Sequence, residues 1–354
     1  MKKYRIAIIS TGSVLLLGIF LVTTDLKEMW IALKNANYIF ILPGILTYFI
    51  AVGLRAVRWR LLLSPIKPIT SKKLFPIVVV GYMANNILPF RIGEVIRSYF
   101  LYQKTSVNTA SGLSSILVER IIDAITLLLI VGVAGLFVPL SQTLSGFSQL
   151  TGIGEKFIVG ILLFTFLGLF IVMILISFFH QVAQIVIAKA FSIFPVPLRL
   201  KLQVLSIRFF EGLNSLNDWK IILKAFVISV PIWLFEAGLF FFVSLSLGLN
   251  EAFSNQLYAI SASILVTGIS NIGSSIPSAP GGIGLFELIT RETLVLMPGG
   301  NVSRPDAAAF ATISHFCLLF PIILLGQLFL WREGISLDRI YRPTKGPTKG
   351  PISQ

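Results

Sequence analysis

Arg91, Glu94 and Arg97 follow closely on Pro89, and Glu287, Arg291 and Glu292 follow the run Pro280-Gly281-Gly282-Ile283-Gly284, in a chain that is otherwise mostly apolar. Guanidinium groups grip phosphate through a planar fork, and carboxylates receive cationic or hydroxyl-rich groups. A helix that starts after a proline turns its positive dipole end and free N–H groups toward an anion. On a helix beginning near Ile92, Glu94 lies one turn before Arg97, so the two can pair or leave an arginine free for phosphate. A third group, Glu119-Arg120 with Asp123, sets two carboxylates on one helix face at a spacing of four and lets Arg120 reach Asp123 at a spacing of three. One such pair leaves a negative charge over, to meet Arg91 or Arg97 or to hold a cation or a proton. The candidate substrate-binding set is Asn85, Asn86, Pro89, Arg91, Gly93, Glu94, Arg97, Glu119, Arg120, Asp123, Pro280, Gly281, Gly282, Gly284 and Glu287. The structural alternative is arginines snorkelling to a membrane edge and an ion-pair network that holds the helices in place.

The elements that must position these residues are membrane helices. Of 354 residues, 55% are hydrophobic and 12% are charged, against roughly 25% charged in soluble domains. Apolar runs of about the length needed to cross a bilayer cover 6–22, 38–57, 112–138, 157–178, 221–246 and 307–331, and two more, 74–104 and 257–298, are broken in the middle. The breaks are the segments around Pro89 and Pro280. Hydrocarbon offers no partner to free backbone groups, so non-helical chain at that depth must be buried in protein or line a wet cavity. Interrupted segments at matching places in two halves are the sequence mark of a transporter's substrate site.

Basic residues set the orientation. The loop from Arg55 to Lys73 carries Arg55, Arg58, Arg60, Lys67, Lys72 and Lys73 with no acid, and Lys189 to Lys224 is also rich in Lys and Arg, so both are expected on the cytoplasmic side together with the two termini. The segments near Asp25–Asn37, 139–156 and 247–256 are expected outside. Threading the spans through these constraints turns 74–104 and 257–298 into re-entrant hairpins that enter from opposite faces. The fold class is therefore all-α: a polytopic helical bundle of about six full spans plus two re-entrant hairpins in an inverted-topology repeat, the alternative being eight full spans. One membrane domain is expected over 1–340, with a cytoplasmic amphipathic interfacial segment over 179–220, where Leu198, Leu202, Leu205, Phe209, Leu213 and Leu216 form a stripe, and a disordered basic tail over 341–354.

Other chemistries fit poorly. The net charge of +14 is scattered through short loops, so it reports topology and contact with anionic lipid headgroups at the cytoplasmic face, not nucleic acid. His180 and His315 are the only histidines and Cys317 the only cysteine, so no zinc motif or internal disulfide is expected, and no cofactor site is visible. No GxSxG motif is present, and the Pro280–Gly284 glycines follow no strand. Glu236, isolated in its run, reads as a neutral hydrogen-bonded carboxyl without a local partner, and His315 as a residue that joins helices.

The motifs Gly81-Tyr82-Met83-Ala84-Asn85-Asn86-Ile87-Leu88-Pro89-x-Arg91-x-Gly93-Glu94-x-x-Arg97, Val118-Glu119-Arg120-x-x-Asp123 and Ile276-Pro277-x-x-Pro280-Gly281-Gly282-x-Gly284-x-x-Glu287 resemble the lysylphosphatidylglycerol synthase transmembrane region, also called the flippase-like domain. In the multidomain synthases such a region is taken to move an aminoacylated phospholipid between leaflets while a soluble domain makes it. The resemblance implies lipid handling in the cell membrane. No room for the soluble aminoacyltransferase is expected after Trp331, so the synthases' own transferase activity is not expected here. The expected function is translocation of a polar-headgroup lipid, the alternatives being a membrane-embedded lipid-headgroup transferase or a non-transporting partner of a separately encoded lipid-modifying transferase.

Overall fold

The structure is a computed structural model that describes residues 15–88, 92–157, 189–274 and 280–333, with scattered positions between 158 and 188, and only the backbone of Ser192, Asn214 and Asn217. Pro89 and Arg91, Ile276 and Pro277, residues 1–14, most of the run 157–178, and the tail 341–354 lie outside the described residues.

All regular structure among the described residues is helical. Twelve helices are described: α1 (15–22), α2 (Leu26–Asn35), α3 (Ile41–Leu63), α4 (Ser71–Ile87), α5 (Gly93–Thr105), α6 (Thr109–Ala134), α7 (Leu140–Thr151), α8 (Val196–Gly212), α9 (Trp219–Ser246), α10 (Gln256–Gly273), α11 (Leu285–Val295) and α12 (Arg304–Arg332). Three of these stretches, Tyr38–Leu63, Trp219–Ser246 and Arg304–Arg332, are long and apolar enough to cross a membrane. With 26 residues α6 is as long, but it carries Glu119, Arg120 and Asp123. The two broken runs resolve into hairpins. Both second arms are short: at ~1.5 Å per residue the 13 residues of α5 and the 11 of α11 fall well below the ~30 Å of a bilayer core.

Local chemistry ends the helices at the breaks. Pro89 forbids the helical region to the residue before it, and Leu88 is extended at φ −105°, ψ 144°. After α10 the chain turns through Gly281, Gly282 and Gly284 at φ of 66°, 79° and 88°, a region that strains any residue bearing a Cβ. The Glu287 carboxylate then accepts the Gly284 N–H at 2.7 Å and starts α11.

The helices pack as two matching halves. In the first, α3 lies on α4 and α6, α4 on α5, and α5 on α6; in the second, α9 lies on α10 and α12, α10 on α11, and α11 on α12. Between halves, α3 packs on α9, α4 on α12, α10 on α6, α3 on α12 and α9 on α6. Exchanging α3 with α9, α4 with α10, α5 with α11 and α6 with α12 returns the same set of neighbours. The central pair runs antiparallel. The Asn37 N–H donates to the Ser246 carbonyl, a Cβ on Gly44 would meet Phe242 and one on Gly238 would meet Thr47, and Arg58 reaches Ser229. The first helix of one half therefore runs opposite to its counterpart in the other.

One expectation is corrected here. Arg55 and Arg58 are not loop residues but sit inside α3, 4% and 0% exposed, because the apolar run resumes at Trp59 and continues through Leu61, Leu62 and Leu63 and so carries the helix past both charges. Of the other basic residues Arg60 lies in the last turn of α3, Lys67 in the connection, and Lys72 and Lys73 in the first turn of α4. Phe210 and Gly212 of α8, with Leu213 just after it, are buried against the bundle, while Leu198 and Leu205 are exposed. At Gly212 a Cβ would overlap Ser111 and Ser114 of α6, so the close approach of the two helices fixes which face turns in.

Candidate functional site

The described ends of the two hairpins, Asn86 on one side and Gly281 on the other, meet inside the bundle. A Cβ on Gly281 would lie 3.3 Å from the Asn86 carbonyl oxygen and from the Leu319 side chain. Beside this contact is a cavity of ≈ 170 Å³, lined from the first tip by Asn85, Asn86 and Leu88, from the second by Ser274, Gly281 and Gly282, and from the surrounding helices by Tyr48, Arg55, Tyr82, Glu94, Arg120, Trp233, Glu236, Phe286, His315 and others. Four of these side chains carry a buried polar atom without a hydrogen-bond partner: Arg55 Nε, Asn85 Oδ1, Arg120 Nε and Trp233 Nε1. Buried polar groups are nearly always paired. Three unused donors and one unused acceptor around one cavity therefore mark hydrogen-bonding capacity held open.

The walls are charged but balanced. Arg97 grips Glu119 with two parallel bonds of 2.9 Å and stacks 3.8 Å over the Trp59 ring. Arg58 binds Asp123 at 2.5 and 3.1 Å, lies 3.4 Å from Glu119 and donates to Ser229 at 2.6 Å. Arg120 contacts Glu119 at 2.7 Å, Asp123 at 3.3 Å and Glu94 at 3.8 Å. Three arginines thus face three carboxylates. In the next layer Arg55 binds Glu236 at 2.5 Å, under the rings of Tyr82 and Trp233, and the Asn271 amide donates to the other Glu236 oxygen at 3.0 Å. Charges left unpaired in such surroundings would be costly.

On the opposite wall, Glu287 Oε1 lies 2.6 Å from His315 Nδ1, and His315 Nε2 lies 2.8 Å from the Gly281 carbonyl oxygen. Phe286 stacks on the imidazole with a centroid separation of 4.3 Å. One helix turn further along α11, Arg291 binds Glu292, the Phe20 carbonyl and Thr24, and Arg304 also reaches Glu292. That group ties α1 to α11.

Of the sequence-derived set, Asn85, Asn86, Glu94, Arg120, Gly281 and Gly282 line the cavity. Arg97, Glu119 and Asp123 stand behind it in ion pairs, almost fully buried. Pro280 opens the short turn of the second tip, and Gly284 with Glu287 anchors its far side. Gly93 is a packing position, since a Cβ there would come within 2.3 Å of the Gly81 carbonyl. Pro89 and Arg91 lie outside the described residues. Arg97 takes up Glu119, one of the two meetings open to the charge left over in the third group, while Glu94 lies nearer Arg120. Glu287 pairs with His315, and Glu236, without a partner on its own helix, finds Arg55 of α3. Sequence reading missed Tyr48, Arg55, Tyr82 and Trp233 as cavity residues. Arg55 had a signal, an arginine inside an apolar run, whereas the aromatic residues had none in a chain rich in them.

The chain is similar to a UPF0104 membrane protein of Methanocaldococcus jannaschii, 22% identical over 70% of this chain and 92% of that protein. A UPF0104 membrane protein of Pyrococcus horikoshii is 28% identical over 94% of this chain and 98% of its own, and one of Methanothermobacter thermautotrophicus is 26% identical over 34% and 37%. The family model described as the lysylphosphatidylglycerol synthase TM region matches residues 4–326. This membrane protein, with its two matched helical halves, therefore belongs to the lysylphosphatidylglycerol synthase transmembrane-region family.

Proposed function

We propose that the protein moves a polar-headgroup lipid, of phospholipid or glycolipid type, between the leaflets of the cell membrane. The observation that carries this reading is the cavity between the hairpin tips, with balanced charges around it and unused donors on Arg55, Arg120 and Trp233. A zwitterionic phospholipid headgroup matches such a wall: its phosphate takes the free N–H groups while its own cation keeps the sum neutral in hydrocarbon. The short second arms α5 and α11 support re-entrant hairpins, and the antiparallel α3 and α9 support an inverted repeat whose halves rock to expose the cavity to each leaflet in turn. Both termini lie in the cytoplasm in this arrangement, where Lys67, Lys72 and Lys73 meet anionic headgroups.

The test is reconstitution into vesicles of phosphatidylethanolamine and phosphatidylglycerol carrying a fluorescent phosphatidylethanolamine quenched from one side. The native chain exchanges the probe between leaflets. Arg120→Gln and Asn85→Leu each slow exchange by about tenfold or more, since a lost hydrogen bond to a charged group is worth ~1.5–3 kcal/mol. Unchanged exchange in both folded variants removes the cavity as the headgroup site. Covalent conversion of the probe would instead point to a headgroup transferase or hydrolase.

A further inference from the structure

Glu287 and His315 form a couple that the headgroup site does not need for charge balance. The Gly281 carbonyl oxygen can only accept, so the 2.8 Å contact requires a hydrogen on His315 Nε2. The 2.6 Å contact between Nδ1 and Glu287 Oε1 then requires a second proton, on the imidazole or on the carboxyl. The second carboxylate oxygen is already committed to the Gly284 N–H. With both protons present the couple has no net charge and holds both contacts. With one proton the imidazole has a single N–H for two acceptors. The charge-assisted bond to the Glu287 carboxylate is the stronger of the two, so the Gly281 carbonyl is the contact that is lost.

Gly281 is the point where the second tip touches the first, against the Asn86 carbonyl, and it lines the cavity. We propose that Glu287 and His315 are a proton-binding site, and that the bound proton latches the second hairpin tip to α12 and closes the contact between the tips. Release of the proton frees Gly281. Resting on the lipid-translocation reading, this supplies the ion that such transport would be linked to: a proton.

The surroundings favour one dominant titration. From α9 and α3 the couple is faced across the cavity by Glu236 and Arg55, which are paired with each other, and by Tyr48. Tyr82 of α4, Arg120 of α6 and Glu94 of α5 face it from the first hairpin, the last two within the charge-balanced group. Arg291 and Glu292 on α11 are engaged with each other. The one titratable side chain of α10 is Tyr258, at the far end of that helix, where it donates to the Pro298 carbonyl. Asp306 and Glu28 of α2 line a separate cavity at the opposite end of α12.

The experiment uses the full chain in nanodiscs of phosphatidylethanolamine and phosphatidylglycerol. A His180→Gln background leaves His315 as the sole imidazole, so ¹⁵N-histidine NMR reads one ring, while hydrogen exchange reads the Gly281–Gly284 amides. The native protein shows a protonated Nε2 and a shared Nδ1 proton, and loss of the latter as pH rises coincides with a step in tip exchange above the intrinsic base-catalysed increase. Glu287→Gln puts a permanent neutral donor opposite Nδ1, so its tip stays latched and the step disappears. His315→Leu removes the latch, so its tip exchanges fast at every pH. A tip whose exchange ignores the Nδ1 proton, or a Glu287→Gln protein that behaves like the native one, overturns the proposal. Neither readout requires lipid movement, so a failed exchange assay sinks the lipid reading alone.

Discussion

Glu119 is fully buried and accepts from Arg97 and Arg120 while lying beside Arg58. Removing its charge leaves three guanidinium groups to the two carboxylates of Asp123 and Glu94. Loss of one partner from a buried pair costs about 3–5 kcal/mol, so Glu119→Gln should lower the thermal midpoint of the purified protein steeply. Glu94 is a contrasting case: its side chain is 30% exposed and 3.8 Å from Arg120, a geometry worth ~0–1 kcal/mol. Glu94→Gln should therefore leave the midpoint nearly unmoved while altering the cavity wall. Equal losses in the two variants would show that the network does not discriminate between wall and scaffold. Their sequence contexts look alike, each carboxylate near an arginine on a helix, and only the neighbour across the packing interface separates them.

At the scale of elements, glycine decides how closely the arms of the first hairpin approach. A Cβ on Gly93 would come within 2.3 Å of the Gly81 carbonyl and 2.4 Å of the Asn85 amide. Both are backbone atoms, so α5 has to move. Gly93→Ala should cost about 1–3 kcal/mol, the usual penalty of overpacking. At Gly53, on α3, an added Cβ meets nothing within 4 Å, and Gly53→Ala should stabilise by ~0.5–1 kcal/mol through helix propensity. Thermal unfolding of the pair checks the sign of each effect. Gly281→Ala adds a different penalty, ~1–2 kcal/mol for a left-handed backbone at φ 66°, and it lands on the tip itself, so slower lipid exchange should accompany the loss of stability. The positions of both breaks were readable from proline and glycine chemistry alone. The close approach at Gly93 was not, since nothing in the chain before it specifies which atoms will face it.

For the whole molecule, the matched neighbours of the two halves and the antiparallel α3 and α9 lead to a topological expectation: both ends of each hairpin lie on one side of the membrane. In a Cys317→Ser background, cysteines replacing Lys73 and Lys104 should react with an impermeant thiol reagent from the same face, and cysteines replacing Asn255 and Asn301 from the opposite face. Labelling of Lys73 and Lys104 positions from different faces would restore eight full crossings. The native Cys317, 2% exposed, should react slowly throughout. The sequence by itself determined the helical membrane class, the two interrupted runs and the concentration of charge beside them, because hydropathy, proline and glycine act over a few neighbouring residues. Only the tertiary structure decided the pairing. Arg55 found Glu236, Arg58 found Asp123, and Glu287 found His315, each across a helix interface, and these contacts depend on the register of packed helices that no local pattern encodes.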